Sequence, residues 1–136
     1  MRVVLDTNVL VSAFLYGGNP RRIVELVLSG EVEMAISDSL VQELQDVLLR
    51  KQFDLTPQLV RTAIAEIAAI AELVAPKKHH AVIESDPSDN IILDCALEAG
   101  VDCIVTGDAH LLALRKLGKV KIVNPQQFMS LHQGSP

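Results

Sequence analysis

The stretch Met1-Arg-Val-Val-Leu-Asp6-Thr7-Asn8 decides the fold that the sequence predicts. It is a short run of aliphatic residues that ends in a carboxylate and two small polar residues. In α/β proteins, ligands bind just beyond the carboxyl ends of parallel strands. Asp6 is therefore placed to hold a metal ion or a phosphoryl group, although Asp-Thr-Asn is also ordinary turn chemistry. The role of Asp6 depends on whether the rest of the chain brings further carboxylates to it.

The composition favours a layered fold with an aliphatic core. Of the 136 residues, 49% are hydrophobic but only 3% are aromatic, which suits buried parallel strands covered by helices. The longest apolar stretches are broken by charges well before the ~20 residues that a membrane helix needs. We expect no signal peptide, because Arg2 leads directly into the first predicted strand, and Cys95 and Cys103 are isolated rather than paired as CxxC. We therefore expect a cytoplasmic protein without a membrane segment and with reduced thiols.

Strand and helix patterns alternate along the whole chain. This alternation predicts a three-layer α/β/α fold with a central, mostly parallel sheet of four to five strands. We expect a single domain over residues 1–131, followed by a frayed tail at 132–136. The predicted strands are 2–5, 32–36, 101–106 and 120–123. Four of the predicted helices cover residues 9–16, 87–99, 109–116 and 125–132. Three others are marked by their ends: one runs from the N-cap Asn19 to Gly30, one begins with a Ser39–Gln42 capping box, and one runs from Thr56-Pro57 to Pro76.

Acidic residues recur at the predicted strand ends and at the starts of the helices that follow. Besides Asp6, Glu43 follows the second strand, Asp89 lies in the first turn of a helix capped by Asp86, and Asp108 follows the third strand. In a parallel sheet these positions share one edge, so the four carboxylates of Asp6, Glu43, Asp89 and Asp108 can meet. Each also has a simpler interpretation, as a solvated helix residue, a helix cap or a charge that favours a helix N-terminus.

Metal binding is the physical reason to gather carboxylates in one pocket. Uncompensated carboxylates repel one another and raise one another's pKa, and hard cations such as Mg²⁺ or Mn²⁺ relieve this repulsion. No His or Cys stands at ligand spacing nearby, which argues against zinc. The net charge of −5 lacks the basic footprint of most nucleic-acid binders. Because bound cations would offset several acids, this charge neither supports nor excludes a polyanionic substrate.

Five segments of the chain form a recognisable set: Val-Val-Leu-Asp6-Thr-Asn8, Ser37-Asp-Ser-Leu-Val-Gln-Glu43-Leu, Asp86-Pro-Ser-Asp89-Asn-Ile-Ile-Leu-Asp-Cys-Ala-Leu, Ile104-Val-Thr106-Gly-Asp108 and Val123-Asn-Pro125-Gln-Gln-Phe128. Taken in order, these segments resemble the PIN domain family, and within it the prokaryotic toxins of VapC type from toxin–antitoxin systems. The resemblance covers residues 1–131. Each motif alone is weak, and their order and spacing make the resemblance specific.

The resemblance implies an endoribonuclease that hydrolyses single-stranded RNA with one or two Mg²⁺ or Mn²⁺ ions. It also implies a homodimer and a small antitoxin protein as partner. The family's acidic quartet corresponds to Asp6, Glu43, Asp89 and Asp108, which would bind metal and act in catalysis. Asn8 and Thr106 match its supporting polar positions. Asp86 is close enough in sequence to assist or replace Asp89, so the third acidic position stays open between these two.

Other functions fit the sequence less well. A PIN-like domain that has lost catalysis and serves as an interaction module is the main alternative, although such loss usually removes an acid. A phosphoacceptor domain of receiver type needs an acceptor Asp after its third strand and a Lys after its fifth. This chain does not show that pattern, because Ser37 follows its second predicted strand and Asn124 follows its last. A DxDxT phosphatase needs a second Asp where this chain has Asn8.

Several basic residues could contact RNA, although surface solvation is the default for all of them. Arg21 and Arg22 are the first candidates because they follow the loop after Asp6. The full set is Arg21, Arg22, Arg50, Lys51, Lys77 and Lys78.

Overall fold

The structure is a computed structural model that describes residues 1–77 and 87–133, and within helix α5 it describes the side chains from Asn90 onward. It consists of a central sheet with helices packed against it. The strands are β1 (Arg2–Leu5), β2 (Glu33–Ser37), β3 (Ala71–Val74), β4 (Cys103–Val105), β5 (Lys116–Leu117) and β6 (Val120–Val123). The helices are α1 (Thr7–Leu15), α2 (Gly18–Leu28), α3 (Asp38–Leu48), α4 (Pro57–Ile70), α5 (Pro87–Ala99), α6 (Ala109–Leu114) and α7 (Pro125–His132), with a 3₁₀ turn at Lys51–Phe53.

Strand β1 lies in the middle of the sheet. The strand order is β3-β2-β1-β4-β6-β5, and every neighbouring pair is parallel except β5 and β6. The side chains of Val3, Val4 and Leu5 are almost completely buried, as expected for a strand covered on both faces. The predicted α/β/α fold with a mostly parallel sheet is thus confirmed, and within residues 1–77 and 87–133 the sheet has six strands rather than four to five.

The prediction of one long helix from Thr56 to Pro76 was wrong beyond Ile70. Residues Ala71–Val74 form strand β3, which pairs in parallel with β2 from Met34 to Ser37. Ala-Glu-Leu-Val is too short and too mixed for its periodicity to separate helix from strand. The hydrogen bonds to β2 decide the outcome, and they join residues that are far apart in sequence.

Helix α3 begins earlier than the sequence predicted. Ser37, not Ser39, is its N-cap: the Ser37 backbone is extended, and its hydroxyl accepts a hydrogen bond from the Leu40 amide at 3.3 Å. The predicted capping box at Ser39 was therefore wrong, because the helix already starts at Asp38. As a result, Glu43 lies in the second turn of α3.

A double-glycine turn separates α1 from α2. Gly17 and Gly18 have φ angles of 80° and 67°, a left-handed conformation that glycine adopts without strain. Helix α2 begins at Gly18 with Gly17 as its cap, so the predicted N-cap at Asn19 was wrong. The turn leaves Tyr16 at the end of α1 with its side chain 76% exposed.

The core is aliphatic, as the composition indicated, and it contains both cysteines as free thiols. Burial raises the pKa of the Cys95 thiol to about 11 and also raises the pKa of Cys103. Both thiols are therefore protonated and unreactive at neutral pH. Within the described ranges, no helix is long and apolar enough to span a membrane.

Candidate functional site

Asp6 ends the central strand and caps helix α1. Its side chain is 7% exposed, and its carboxylate accepts three hydrogen bonds. Oδ1 accepts from the Thr7 amide at 2.8 Å, while Oδ2 accepts from Asn8 Nδ2 at 3.0 Å and from the Thr106 hydroxyl at 2.7 Å. These bonds fix the orientation of Asp6.

Thr106 and Asn8 connect Asp6 to the loop after β4. The Thr106 hydroxyl, which donates to Asp6, accepts a hydrogen bond from the Asp108 amide at 3.0 Å. Asn8 likewise accepts a bond from the Gly107 amide at 3.0 Å. A Cβ atom at Gly107 would lie 3.4 Å from Asn8 Oδ1, which is an ordinary van der Waals contact, so this position does not require glycine. The two loops that carry Asp6 and Asp108 are held together by these hydrogen bonds.

Asp108 caps helix α6 with one carboxylate oxygen, and its other oxygen does not take part in the cap. Its Oδ1 accepts a hydrogen bond from the His110 amide at 2.7 Å. Within the described residues, Oδ2 of Asp108 has no hydrogen-bond partner, and the side chain is half-buried. This second oxygen is thus available to a ligand. The His110 residue itself is exposed.

Three of the four predicted acids line one cleft of about 500 Å³. Asp6 comes from the end of β1, Asp108 from the loop after β4, and Glu43 from helix α3. The backbone of Asp89 lies in the first turn of α5, but its side chain lies outside the described part, as does the whole of Asp86. The other residues that line the cleft are Thr7, Asn8, Val11, Ser12, Tyr16, Val47, Arg50, Gln52 and Phe53.

The electrostatics of Asp6 show an incompletely compensated negative charge. Burial raises the pKa of the Asp6 carboxyl above its ordinary value, and the nearby charge of Asp108 raises this pKa further. The hydrogen bonds from Thr106, Thr7 and Asn8 lower it, but they do not offset the burial. A bound cation would stabilise the ionised form of Asp6, because it supplies the missing positive charge.

The donor atoms of the cleft fit a hard cation. Asp6, Glu43 and Asp108 contribute carboxylate oxygens, which are the ligands that Mg²⁺ and Mn²⁺ prefer. Thr7 is buried at the same place, and its hydroxyl has no hydrogen-bond partner among the residues that the structure describes. Among the side chains that the structure describes, no three acidic, His or Cys groups already stand close enough together to hold a metal ion. The side chain of Asp89 lies outside that set.

Sequence reasoning did not identify the aromatic part of this cleft. Tyr16 and Phe53 line it although neither was a candidate, and Arg50 lines it although Arg21 and Arg22 ranked first. Arg21 instead pairs with Glu25 at 3.6 Å, and Arg22 contacts Asn19 at 3.4 Å. The sequence signal for Tyr16 was its position directly before Gly17-Gly18. A helix ends at such a double glycine, so a large side chain there is left exposed at the helix end.

A model of the PIN domain family matches residues 2–110, which is most of the chain. The chain therefore belongs to the PIN domain family, and the resemblance inferred from its motifs is confirmed. A comparison with curated proteins gave no match.

Solved structures of VapBC and FitAcB proteins share the fold. VapBC2 from Rickettsia felis, bound to a DNA fragment from its promoter, matches with a TM-score of 0.67 at 16% identity, over 91% of this chain and 98% of that one. VapBC-1 from nontypeable Haemophilus influenzae matches with a TM-score of 0.63 at 13% identity, over 93% and 99%. FitAcB from Neisseria gonorrhoeae matches with a TM-score of 0.56 at 19% identity, over 91% and 98%. At these identities the likeness establishes the fold alone.

Proposed function

We propose that this protein is a metal-dependent endoribonuclease that hydrolyses phosphodiester bonds of single-stranded RNA. The observation that carries the proposal is the cleft at the carboxyl edge of the sheet, where Asp6, Glu43 and Asp108 converge from three separate segments. Membership of the PIN domain family supports it. Burial without full charge compensation at Asp6 is the electrostatic condition that a cation site requires.

In this proposal Asp6 and Asp108 hold Mg²⁺ or Mn²⁺, with Asp89 completing the site and Asp86 as the alternative at that position. When bound, one or two such ions lower the pKa of water and clamp the phosphodiester. Glu43 binds metal or accepts a hydrogen bond from the attacking water and orients it. Asn8 and Thr106 keep the Asp6 carboxylate in one orientation, because both bond to the same oxygen.

The same proposal extends to partners and location. The VapBC and FitAcB structures among the structural matches support a role as the toxin of a toxin–antitoxin pair, with a small antitoxin protein as partner. We also propose a homodimer, a single nuclease domain over residues 1–131, and a cytoplasmic location. The free thiols of Cys95 and Cys103 suit the reducing cytoplasm.

The direct test of this function is the metal dependence of RNA cleavage. Chelator-treated protein is incubated with single-stranded RNA, double-stranded RNA and single-stranded DNA of the same sequence, before and after addition of Mg²⁺ or Mn²⁺. We expect internal cleavage of the single-stranded RNA only after the metal is added, and chelator should stop it again. A lack of cleavage under every metal condition, in folded protein freed of any bound antitoxin, would favour the non-catalytic interaction module.

Metal binding should stabilise the fold, and this stabilisation should decrease as the pH falls. The pKa of Asp6 is raised in the folded state, so its ionisation costs stability as the pH rises through that pKa. A bound cation reverses this cost, and protons compete with the cation at low pH. A metal concentration of 100 times the dissociation constant should add about 2.7 kcal/mol to the free energy of unfolding at pH 8.

Thermal unfolding with and without Mn²⁺, from pH 8 downward, measures this effect. The metal-induced increase in Tm should shrink as the pH falls, because protons compete with the cation for Asp6 and burial raises the pKa of that carboxyl. The variant Asp6→Asn should show little increase at any pH. An increase as large in Asp6→Asn as in the wild type would place the metal elsewhere.

A further inference from the structure

One part of the acid cleft is formed by aromatic and cationic side chains that metal binding does not use. Tyr16 stands at the end of α1, Arg50 just after α3, and Phe53 at the end of the 3₁₀ turn; all three line the cleft with Asp6, Glu43 and Asp108. Helix α1 packs against α3, which brings these segment ends together. A nucleic acid that occupies this cleft with a phosphodiester at the acids would therefore lie beside these side chains.

Two of the four aromatic residues of the chain line the acid cleft, which favours nucleotide binding there. The chain has one Tyr, three Phe and no Trp. Phe128 is completely buried, and Phe14 packs against the core. Tyr16 and Phe53 both line the acid cleft. Phe53 is partly buried and, like Phe14, packs against the core, whereas Tyr16 is exposed. An exposed aromatic ring in a cleft is a platform on which an unpaired base can stack.

Arg50 supplies a positive charge in a cleft whose other charged groups are acids. It is exposed, and within the described part of the chain it takes part in no ion pair, since the pairs formed there use Arg2 and Arg21. Arg50 follows Glu43 and Val47 at helical spacing along one side of α3, and all three residues line the cleft. A guanidinium at this position can contact a phosphate through two hydrogen bonds.

We infer that Tyr16 and Arg50 form a binding subsite for a nucleotide next to the scissile phosphodiester, with its base stacked on Tyr16 and its phosphate contacted by Arg50. The inference rests on the proposed ribonuclease function, because it names how that same cleft holds its single-stranded substrate. Stacking needs an unpaired base, so the subsite also selects single strands over duplexes. A cleft of about 500 Å³ is within the usual size range of small-molecule sites.

Fluorescence tests the stacking directly, because Tyr16 is the only tyrosine and tryptophan is absent. The variant Tyr16→Trp places a single indole in the subsite, which can be excited where nucleobases absorb little. A short phosphorothioate RNA that resists cleavage should quench this indole in the presence of Mg²⁺. An abasic oligomer of the same length and charge should bind more weakly and quench little.

Binding and cleavage by paired variants separate stacking from phosphate contact. Tyr16→Ala should weaken binding of the resistant RNA and raise KM by about tenfold, whereas Tyr16→Phe should stay near wild type. Leu59→Ala, at a position 57% exposed on α4, is the matched control without effect. Arg50→Gln should reduce the slope of log affinity against log salt by about one, and Arg61→Gln, an exposed arginine on α4, should leave the slope unchanged.

The results overturn the subsite if the RNA fails to quench Trp at position 16, if the abasic oligomer binds as tightly, or if Tyr16→Ala binds like wild type. Because binding is measured without cleavage, the two proposals fail separately. Metal-dependent cleavage without quenching removes the subsite and leaves the ribonuclease. Quenching in a protein that never cleaves RNA supports the subsite and removes the ribonuclease.

Discussion

The substitution Asp6→Asn is expected to reduce metal-dependent RNA cleavage by roughly 10³-fold or more. This exceeds the ~10–100-fold that is typical when a residue only orients a metal ligand, because Asp6 itself would bind the cation. Asn has nearly the same size and keeps an oxygen that can accept the Thr7 amide, which now lies 2.8 Å from Asp6 Oδ1. It lacks the charge, and its amide would face the donors Asn8 and Thr106 in place of Oδ2.

The stability of Asp6→Asn should change little, since two effects oppose each other. Removal of a buried charge with a raised pKa favours the folded state, while the mismatch with Asn8 and Thr106 disfavours it. Circular dichroism and thermal unfolding should therefore show a folded variant, so that the loss of cleavage reports on the site rather than on the fold.

Asp102→Asn is the matched control for this experiment. Asp102 directly precedes β4 at the opposite edge of the sheet, where its carboxylate accepts a hydrogen bond from the Arg2 amide at 2.8 Å. An Asn oxygen can keep that bond, and the change in net charge equals that of Asp6→Asn. We expect near wild-type cleavage. Equal losses in the two variants, or cleavage by Asp6→Asn that persists in chelator at the wild-type rate, would contradict the metal mechanism.

Much of the acid edge could be predicted because it follows from local sequence. A buried aliphatic run that ends in Asp-Thr-Asn places Asp6 at a strand end, and the same logic applies to Asp108 after the run that includes β4. The parallel arrangement then brings both to one edge, as the structure shows. The position of Glu43 could not be predicted from local sequence alone, because its side chain lines the cleft from the second turn of α3, which packs against α1.

The features that could not be predicted from the sequence, strand β3 and the cleft positions of Tyr16 and Arg50, depend on contacts between distant segments. Strand β3 exists because Ala71–Val74 finds a partner in β2, and nothing within those four residues favours a strand over the end of a helix. Tyr16 and Arg50 are ordinary surface residues in their own helices. They become parts of one cleft only through the packing of α1 against α3, which no short-range pattern encodes.

Removal of the Thr106 hydroxyl by Thr106→Val is expected to lower metal affinity or cleavage by about 10–100-fold. Thr106 is completely buried, and its hydroxyl both donates to Asp6 and accepts from the Asp108 amide. Val has nearly the same shape, so the core should stay packed. It leaves the Asp108 amide without its acceptor and the Asp6 carboxylate with one donor fewer, which should cost about 1–3 kcal/mol of stability.

The pH dependence separates a role at the metal site from a purely structural one. The Thr106 bond lowers the pKa of Asp6 against the effect of burial, so its loss should raise that pKa further. The metal-induced stabilisation of Thr106→Val should then disappear at a higher pH than in the wild type. Thr106→Ser keeps the hydroxyl and should restore the wild-type midpoint even where the lost methyl group lowers stability. If Thr106→Val loses stability but keeps the pH midpoint of the wild type, as Thr106→Ser should, Thr106 acts through packing alone and does not change the pKa of the Asp6 carboxylate.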